Sequence, residues 1–253
     1  MEVHHHPDLK HKSKHLKEYL LEFFMIFLAV SMGFIAENFR ESRVNKEKEL
    51  NYIENLLRDL KGDKKALNDV VAANDQMING LDTFVKIRGI DFSKTTNNTL
   101  FFQLFTKTHM YAPNIFKPNE VTLLQIKSTA GLNIIKPQIA DLIAQLDMSN
   151  QNIKWGEKFP YTHDEETFRM IYELTDYPAI WSKSGDLNST LPSLDTDDKK
   201  KILKFFNLSA DLKYTMESYN GNLKNHLTLI DTLLDNLKKQ YDLEEEVSKD
   251  ARQ

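Results

Sequence analysis

The sequence predicts an all-α protein. An N-terminal transmembrane helix continues into a long helix, which packs with a long C-terminal helix and several shorter ones as a bundle. Three observations predict this. Apolar residues recur at three- and four-residue spacing over residues 50–85 and again over 202–237, as in helices that bury one stripe. Eight glycines and seven prolines in 253 residues are few, and no stretch alternates apolar and polar residues as a half-buried strand does. Finally, residues 23–36 carry no charge at all.

The uncharged run is too short to span a bilayer by itself, but its flanks extend it to residues 19–39, YLLEFFMIFLAVSMGFIAENF. At 1.5 Å per residue that stretch covers roughly 32 Å, close to the hydrocarbon thickness. No small-residue cleavage site follows, so it is read as a retained anchor rather than a signal peptide. Glu22, Ile26, Ala29, Gly33 and Ala36 share one face of such a helix. Ala29 and Gly33 form a small-xxx-small pair that lets two helices approach, and an ionisable group in a span seeks a partner or snorkels. Glu22, Ala29, Gly33 and Ala36 are therefore the candidate helix-packing residues in the membrane.

The chain divides into a basic, His-rich tail (1–18), the transmembrane helix (19–39) and an α-helical soluble domain (40–253). The tail, MEVHHHPDLKHKSKHLKE, holds His4, His5, His6, His11 and His15. These five are the candidate metal ligands, since clustered imidazoles bind transition metals. No carboxylate or thiol completes a defined geometry, and the tail is read as a basic segment at an anionic membrane surface. No metal, cofactor or catalytic residue is expected.

The first forty residues resemble the N-terminus of a group of uncharacterised single-pass membrane proteins of Bacteroidota-type bacteria. An EVHHHP tail, a KEYLLEF segment and a GFIAEN exit carry the resemblance, and LLQIKSTAGLNIIKP resembles a later turn of the same group. It implies a membrane protein of the same kind with a helical body. It brings no activity, substrate or functional residue.

Composition narrows the rest. A charged fraction of 28% against 41% apolar suits a folding chain, and a net charge of −4 gives no basic field for nucleic acid. The absence of cysteine excludes disulfides, thiol catalysis and thiolate metal sites.

Along residues 40–88 the heptad register runs Leu50, Ile53, Leu57, Leu60, Lys64, Leu67, Val71, Asn74, Ile78, Leu81, Val85. Leu56, Val70, Met77 and Phe84 widen the stripe, as befits a helix inside a bundle. Lys64 and Asn74 are read as positions where the stripe meets water. A loop over 89–98 leads to a short helix over 99–108 with Phe101 and Phe105 on its apolar face. A Pro-bracketed loop, MYAPNIFKPN, precedes a helix over 120–128 that Gly131 stops.

Pro137 opens the next helix and Pro160 breaks it. His163, Asp164, Glu165 and Glu166 are read as the acidic start of a further helix, not as a metal or acid–base cluster. Residues 178–198 are the longest irregular stretch, with Trp181 expected to anchor it. In the last long helix, over 199–247, His226 falls on the apolar seam and is read as a satisfied core residue.

Nucleotide-binding, zinc-protease and nucleophile-elbow motifs are missing, so no enzyme is expected. The expected function is a membrane-anchored interaction or scaffold protein. Its partners are the lipid bilayer and either a second copy or another membrane protein, in an envelope complex. A ligand-sensing helical bundle and a metal-handling protein using the His tail are the alternatives. The expected location is a bacterial inner membrane, crossed once, with the N-terminus cytoplasmic and the body periplasmic.

Overall fold

A computed structural model describes residues 16–108, 112–175, 194 and 198–242. The architecture is all-α, as expected. Among the described residues β structure is limited to a single antiparallel bridge between Thr175 and Leu194. Among the described residues the α-helices are α1 (Leu16–Lys86), α2 (Thr95–Thr108), α3 (Val121–Ser128), α4 (Pro137–Gly156), α5 (Lys158–Leu174) and α6 (Lys199–Tyr241). The chain forms two compact units, Met1–Asn51 and Tyr52–Gln253, and α1 contributes to both.

In the first unit α1 contains a segment long and apolar enough to cross a membrane, none of it buried. Its large side chains from Phe23 to Ile35 are each at least half exposed. Helical backbone satisfies its own polar groups, which a lipid environment requires. Just past this segment Arg40 grips Glu37 with two bonds of 2.9 and 2.6 Å. This fork-to-carboxylate geometry pairs the charge at the far end of the stretch.

Among the described residues the second unit buries three apolar clusters. In the largest, Ile53, Leu60 and Leu67 of α1 meet Ile126 of α3, Ile139, Ile143 and Ile153 of α4, and Leu223, Ile230 and Leu237 of α6. The second is aromatic: Phe84, Phe92, Phe101, Phe102, Phe105, Phe205 and Phe206 join Met170, Ile171 and Leu174. A third joins Met77 and Leu81 of α1 to Leu212 and Met216 of α6. The seam expected for α6 is buried throughout, from Phe205 to Leu237, and Ser209 is accommodated there by donating to the Phe205 carbonyl at 3.0 Å.

The stripe of α1 is rotated from the expected register. Ile53, Leu60, Leu67 and Leu81 are buried as expected, and Asn74 is buried against expectation, but the other half of the seam is Leu56, Asp63, Met77 and Phe84, each one residue before Leu57, Lys64, Ile78 and Val85. Both rows are apolar apart from one polar member, so spacing alone does not choose between them. The partners choose. Phe84 enters the aromatic cluster, and Asp63 finds a backbone N–H to accept from.

Three local expectations need correction. Ala130, not Gly131, takes the left-handed conformation after α3, at φ 53° and ψ 29°. Gly131 lacks a side chain for a packing reason, because a Cβ there would lie 2.9 Å from the Tyr52 ring. Helix α5 begins at Lys158 with Pro160 buried in its first turn, so the HDEE stretch lies in the second turn and is not the helix start. Pro160 cannot donate to the Gly156 carbonyl, which is why α4 ends there. Thr167 and Met170 are buried with Ile171 and Leu174, while Tyr172 is exposed.

Candidate functional site

In the apolar segment of bilayer length, helical geometry sets Glu22, Ala29, Gly33 and Ala36 along one face of α1. Ala29, Gly33 and Ala36 are exposed, and a Cβ built on Gly33 would meet nothing within 4 Å. Glu22 is half-buried. The face is thus open to close approach by another helix. His4, His5, His6, His11 and His15 lie outside the described residues, as do Trp181 and Glu244 to Glu246. Among the described residues no group of three or more His, Asp or Glu side chains is placed to hold a metal ion.

The body contains a polar seam that periodicity did not single out. Residues 112–120 have no regular secondary structure and are hydrogen-bonded to both α1 and α6. A segment without regular structure must find partners for its backbone groups, and here side chains supply them. Asn74 is fully buried. Its Nδ2 donates to the Asn114 carbonyl at 3.0 Å, and its Oδ1 accepts the Asn114 N–H at 3.2 Å. The expectation that Asn74 meets water is therefore wrong, whereas half-buried Lys64 does reach the surface, where it pairs with Asp231 at 2.6 Å. The hydroxyl of Tyr219 accepts the Phe116 N–H at 3.1 Å.

Two carboxylates of α1, one helical turn apart, receive the end of this strap. Asn119 N–H lies 3.0 Å from both Asp63 oxygens. Asp59 accepts from the Asn119 side chain at 2.9 Å and from the Thr122 hydroxyl and N–H at 2.6 and 3.3 Å. Asp59 thus takes the Thr122 N–H in the first turn of α3 and Asn119 Oδ1 takes that of Val121, at a helix start with no cap from its own N-cap residue. Burial pushes the Asp63 carboxyl up to about 6. The Asn119 N–H opposes this, and the nearby charges of Asp59 and Glu120 add to it.

The sign of the resulting pH dependence follows. With a folded value of about 6 against 3.8 unfolded, native Asp63 holds more proton than the unfolded chain between those limits. Its contribution to stability therefore falls as pH rises from about 4 to 6 and is level above. Asp63→Asn keeps an acceptor for Asn119 and removes the buried charge. The variant should be more stable than the parent at pH 7, by about 2 kcal/mol, and the gap should close at pH 4. Denaturant unfolding of parent and variant at the two pH values measures this. Comparing the pair cancels Asp164, which burial also raises to about 6 and which Glu165 raises further.

His226 does lie in the core, but it is only half satisfied. Its Nδ1 is 2.7 Å from Ser149 Oγ, while Nε2 is buried without a partner. Burial lowers its pKa to about 4, so the ring is neutral at pH 7. The pair has the reach of a nucleophile and base, yet the histidine is 1% exposed and its ring sits beside Phe116. There the ring is part of the packed core. The HDEE stretch likewise assembles no site. His163 and Glu166 are 3.9 Å apart, and Glu165 pairs loosely with Arg169.

The chain matches no family model, no curated protein and no solved structure.

Proposed function

We propose that this protein is a single-pass inner-membrane scaffold: residues 19–39 anchor it, the basic tail stays in the cytoplasm, and the helical body works in the periplasm as a binding surface rather than a catalyst. It acts as an oligomer or as an accessory subunit of an envelope complex. The observation that carries this reading is α1 itself, whose 71 residues supply both an exposed apolar stretch of bilayer length and a wall of the filled helical core. The buried polar groups of the body favour the same reading. Asn74, Asp63 and Tyr219 are engaged in holding the strap, and Asn220 donates to Asp75 and to the Val71 carbonyl across α6 and α1.

Four lysines precede the stretch and Arg40, Arg43, Lys46 and Lys48 follow it, so the loop charges nearly balance. The five tail histidines tip the balance toward a cytoplasmic N-terminus. In the membrane, Ala29, Gly33 and Ala36 let two anchors approach, with Glu22 on the same face.

The test is extraction of the full chain in mild detergent followed by sizing. An assembly larger than one chain is expected, and Ala29→Leu combined with Gly33→Leu should lower it by adding bulk at the closest approach. A stable monomer that bound a metabolite or metal with defined stoichiometry would overturn the reading. A reporter active only in the periplasm, fused to the C-terminus, tests the topology; an inactive fusion would reverse it.

A further inference from the structure

Helix α1 continues without a break past the segment of bilayer length, so the side chains that follow can be placed by depth. At 1.5 Å per residue, Arg40 stands about 1.5 Å beyond Phe39, Ser42 about 4.5 Å, Arg43 about 6 Å and Lys46 about 10.5 Å. The headgroup layer on each side of a bilayer is roughly 5–8 Å deep. With residues 19–39 in the hydrocarbon, Ser42 and Arg43 are therefore at the level of the lipid phosphates. Side chains on a helix lean toward its N-terminus. Here that direction leads back into the bilayer, so the Arg43 side chain sets out toward the phosphates and not away from them.

The basic groups near this level differ in what already holds them. Arg40, nearest the hydrocarbon, is taken by Glu37 through its two bonds. Lys46 donates to Glu49 at 3.2 Å. Arg43 and Ser42 are exposed, and among the described residues neither engages another side chain. Phe39, Arg40, Ser42, Arg43, Lys46 and Glu47 line one open groove. Glu41 and Lys48 fall on the opposite side of the helix. Glu47 shares the side of Arg43 but stands about 12 Å beyond Phe39, so Glu47 and a headgroup approach the guanidinium from opposite directions.

From this placement we propose that Arg43 binds the headgroup phosphate of an anionic phospholipid in the leaflet that α1 leaves, with the Ser42 hydroxyl as a second donor on the same groove. The proposal rests on the reading of residues 19–39 as the anchor, and it adds a lipid ligand to that anchor. A guanidinium offers two parallel N–H donors to two phosphate oxygens, which a lysine ammonium cannot do. A zwitterionic headgroup brings its own cation beside Arg43 and Lys46, whereas an anionic one brings none. One basic side chain at an anionic surface favours it about fivefold.

The site is compatible with pairing of the anchors. Gly33 lies ten residues, about 15 Å, deeper than Arg43. Helices that cross there at about 20–40° diverge before they reach it. A second anchor docked on Ala29 and Gly33 therefore leaves the groove open.

Carbon–phosphorus dipolar dephasing in solid-state NMR tests the contact. The full chain, with isotope-labelled guanidinium carbons, is reconstituted in vesicles of phosphatidylcholine and phosphatidylglycerol in equal parts. A guanidinium signal should be dephased by lipid phosphorus. It should disappear in Arg43→Gln and survive in Arg40→Gln. Arg43 is exposed, so the substitution leaves packing intact. Varying the lipid ratio should titrate the signal with a preference of about fivefold for phosphatidylglycerol over phosphatidylcholine. Equal dephasing in phosphatidylcholine alone overturns the anionic lipid as the ligand. Dephasing that inorganic phosphate restores in phosphatidylcholine vesicles makes this a free-anion site and overturns the lipid. An alkaline carbonate wash separates the remaining failures. A chain that stays embedded but shows no dephasing, or shows it unchanged in Arg43→Gln, overturns the site and leaves the anchor standing. A chain washed out of both kinds of vesicle overturns the anchor and the site with it.

Discussion

Phe84→Ala is expected to be the most damaging single substitution in the body, costing about 3–5 kcal/mol of the folding free energy. Phe84 is fully buried and sits at the centre of the aromatic cluster. Its ring is 5.0 Å from Phe206, 5.3 Å from Phe101 and 5.7 Å from Phe205, two of these contacts edge-on and one stacked. Alanine removes the transfer energy of the ring, the pairwise ring interactions and the packing of neighbours drawn from α2 and α6. Those neighbours are held by their own helices and cannot close the gap. A loss of that size is a large share of the roughly 5–15 kcal/mol that stabilises a domain. Denaturant unfolding of the full chain in detergent, followed by near-ultraviolet dichroism, measures it. Val85→Ala, one residue further on and only half-buried, should cost far less. Equal costs would mean that the rotated register of α1 is wrong.

Asn74→Ala is expected to cost about 2–4 kcal/mol, although it removes only a short polar side chain. The cost comes from what it abandons. Asn74 satisfies both the N–H and the carbonyl of Asn114, as a strand partner would. A backbone group left without a partner costs about 1–3 kcal/mol where it is shielded from water, and both bonds close on a fully buried Asn74 side chain. Asn74→Leu would fill the seam with an apolar side chain and should fare no better, because it leaves the same two groups stranded. The local consequence is as diagnostic as the global one. Amide exchange at Asn114 should speed up sharply in either variant, while exchange in the α4 core around Ile143 should change only with the global stability. Unchanged exchange at Asn114 would show that the strap is held by Tyr219 and Asp63 without Asn74.

These two residues show how far periodicity reaches. Phe84 was legible as apolar, and its role only as a widening of the stripe. Rows through Leu57 and through Leu56 are equally apolar, and the three–four rhythm fits both. Asn74 was legible as a polar break in the seam and misread as a contact with water. Its partner is 40 residues away in a segment without periodicity, and a side chain that satisfies a distant backbone leaves no local signature. Pro160 misled in a similar way. Its position marked the end of α4 but concealed that the next helix starts at once, since proline is also well suited to a first turn. His226 was rightly placed in the core, because the apolar positions recurring over 202–237 fix which face of α6 is buried.

Along α4 the sequence marks Ile139, Ile143, Leu146 and Ile153, and equally Met148 and Trp155, as apolar. Only the burial of Ile139, Ile143, Leu146 and Ile153 on the other side shows that Met148 and Trp155 are turned outward. A helix reveals that it has an apolar face through its own composition. Which of two faces meets the core depends on what packs there.

By itself, then, the sequence determined the helical class, the segment of bilayer length and the buried face of α6. Each of these follows from residues close together in the chain, through backbone hydrogen bonding and the 3.6-residue repeat. The tertiary structure alone decided the register of α1, the strap held by Asn74, Asp63 and Tyr219, and the outward turn of Trp155. Those depend on contacts between residues tens of positions apart, where a side chain is chosen by the shape and unsatisfied groups of a distant segment rather than by its neighbours.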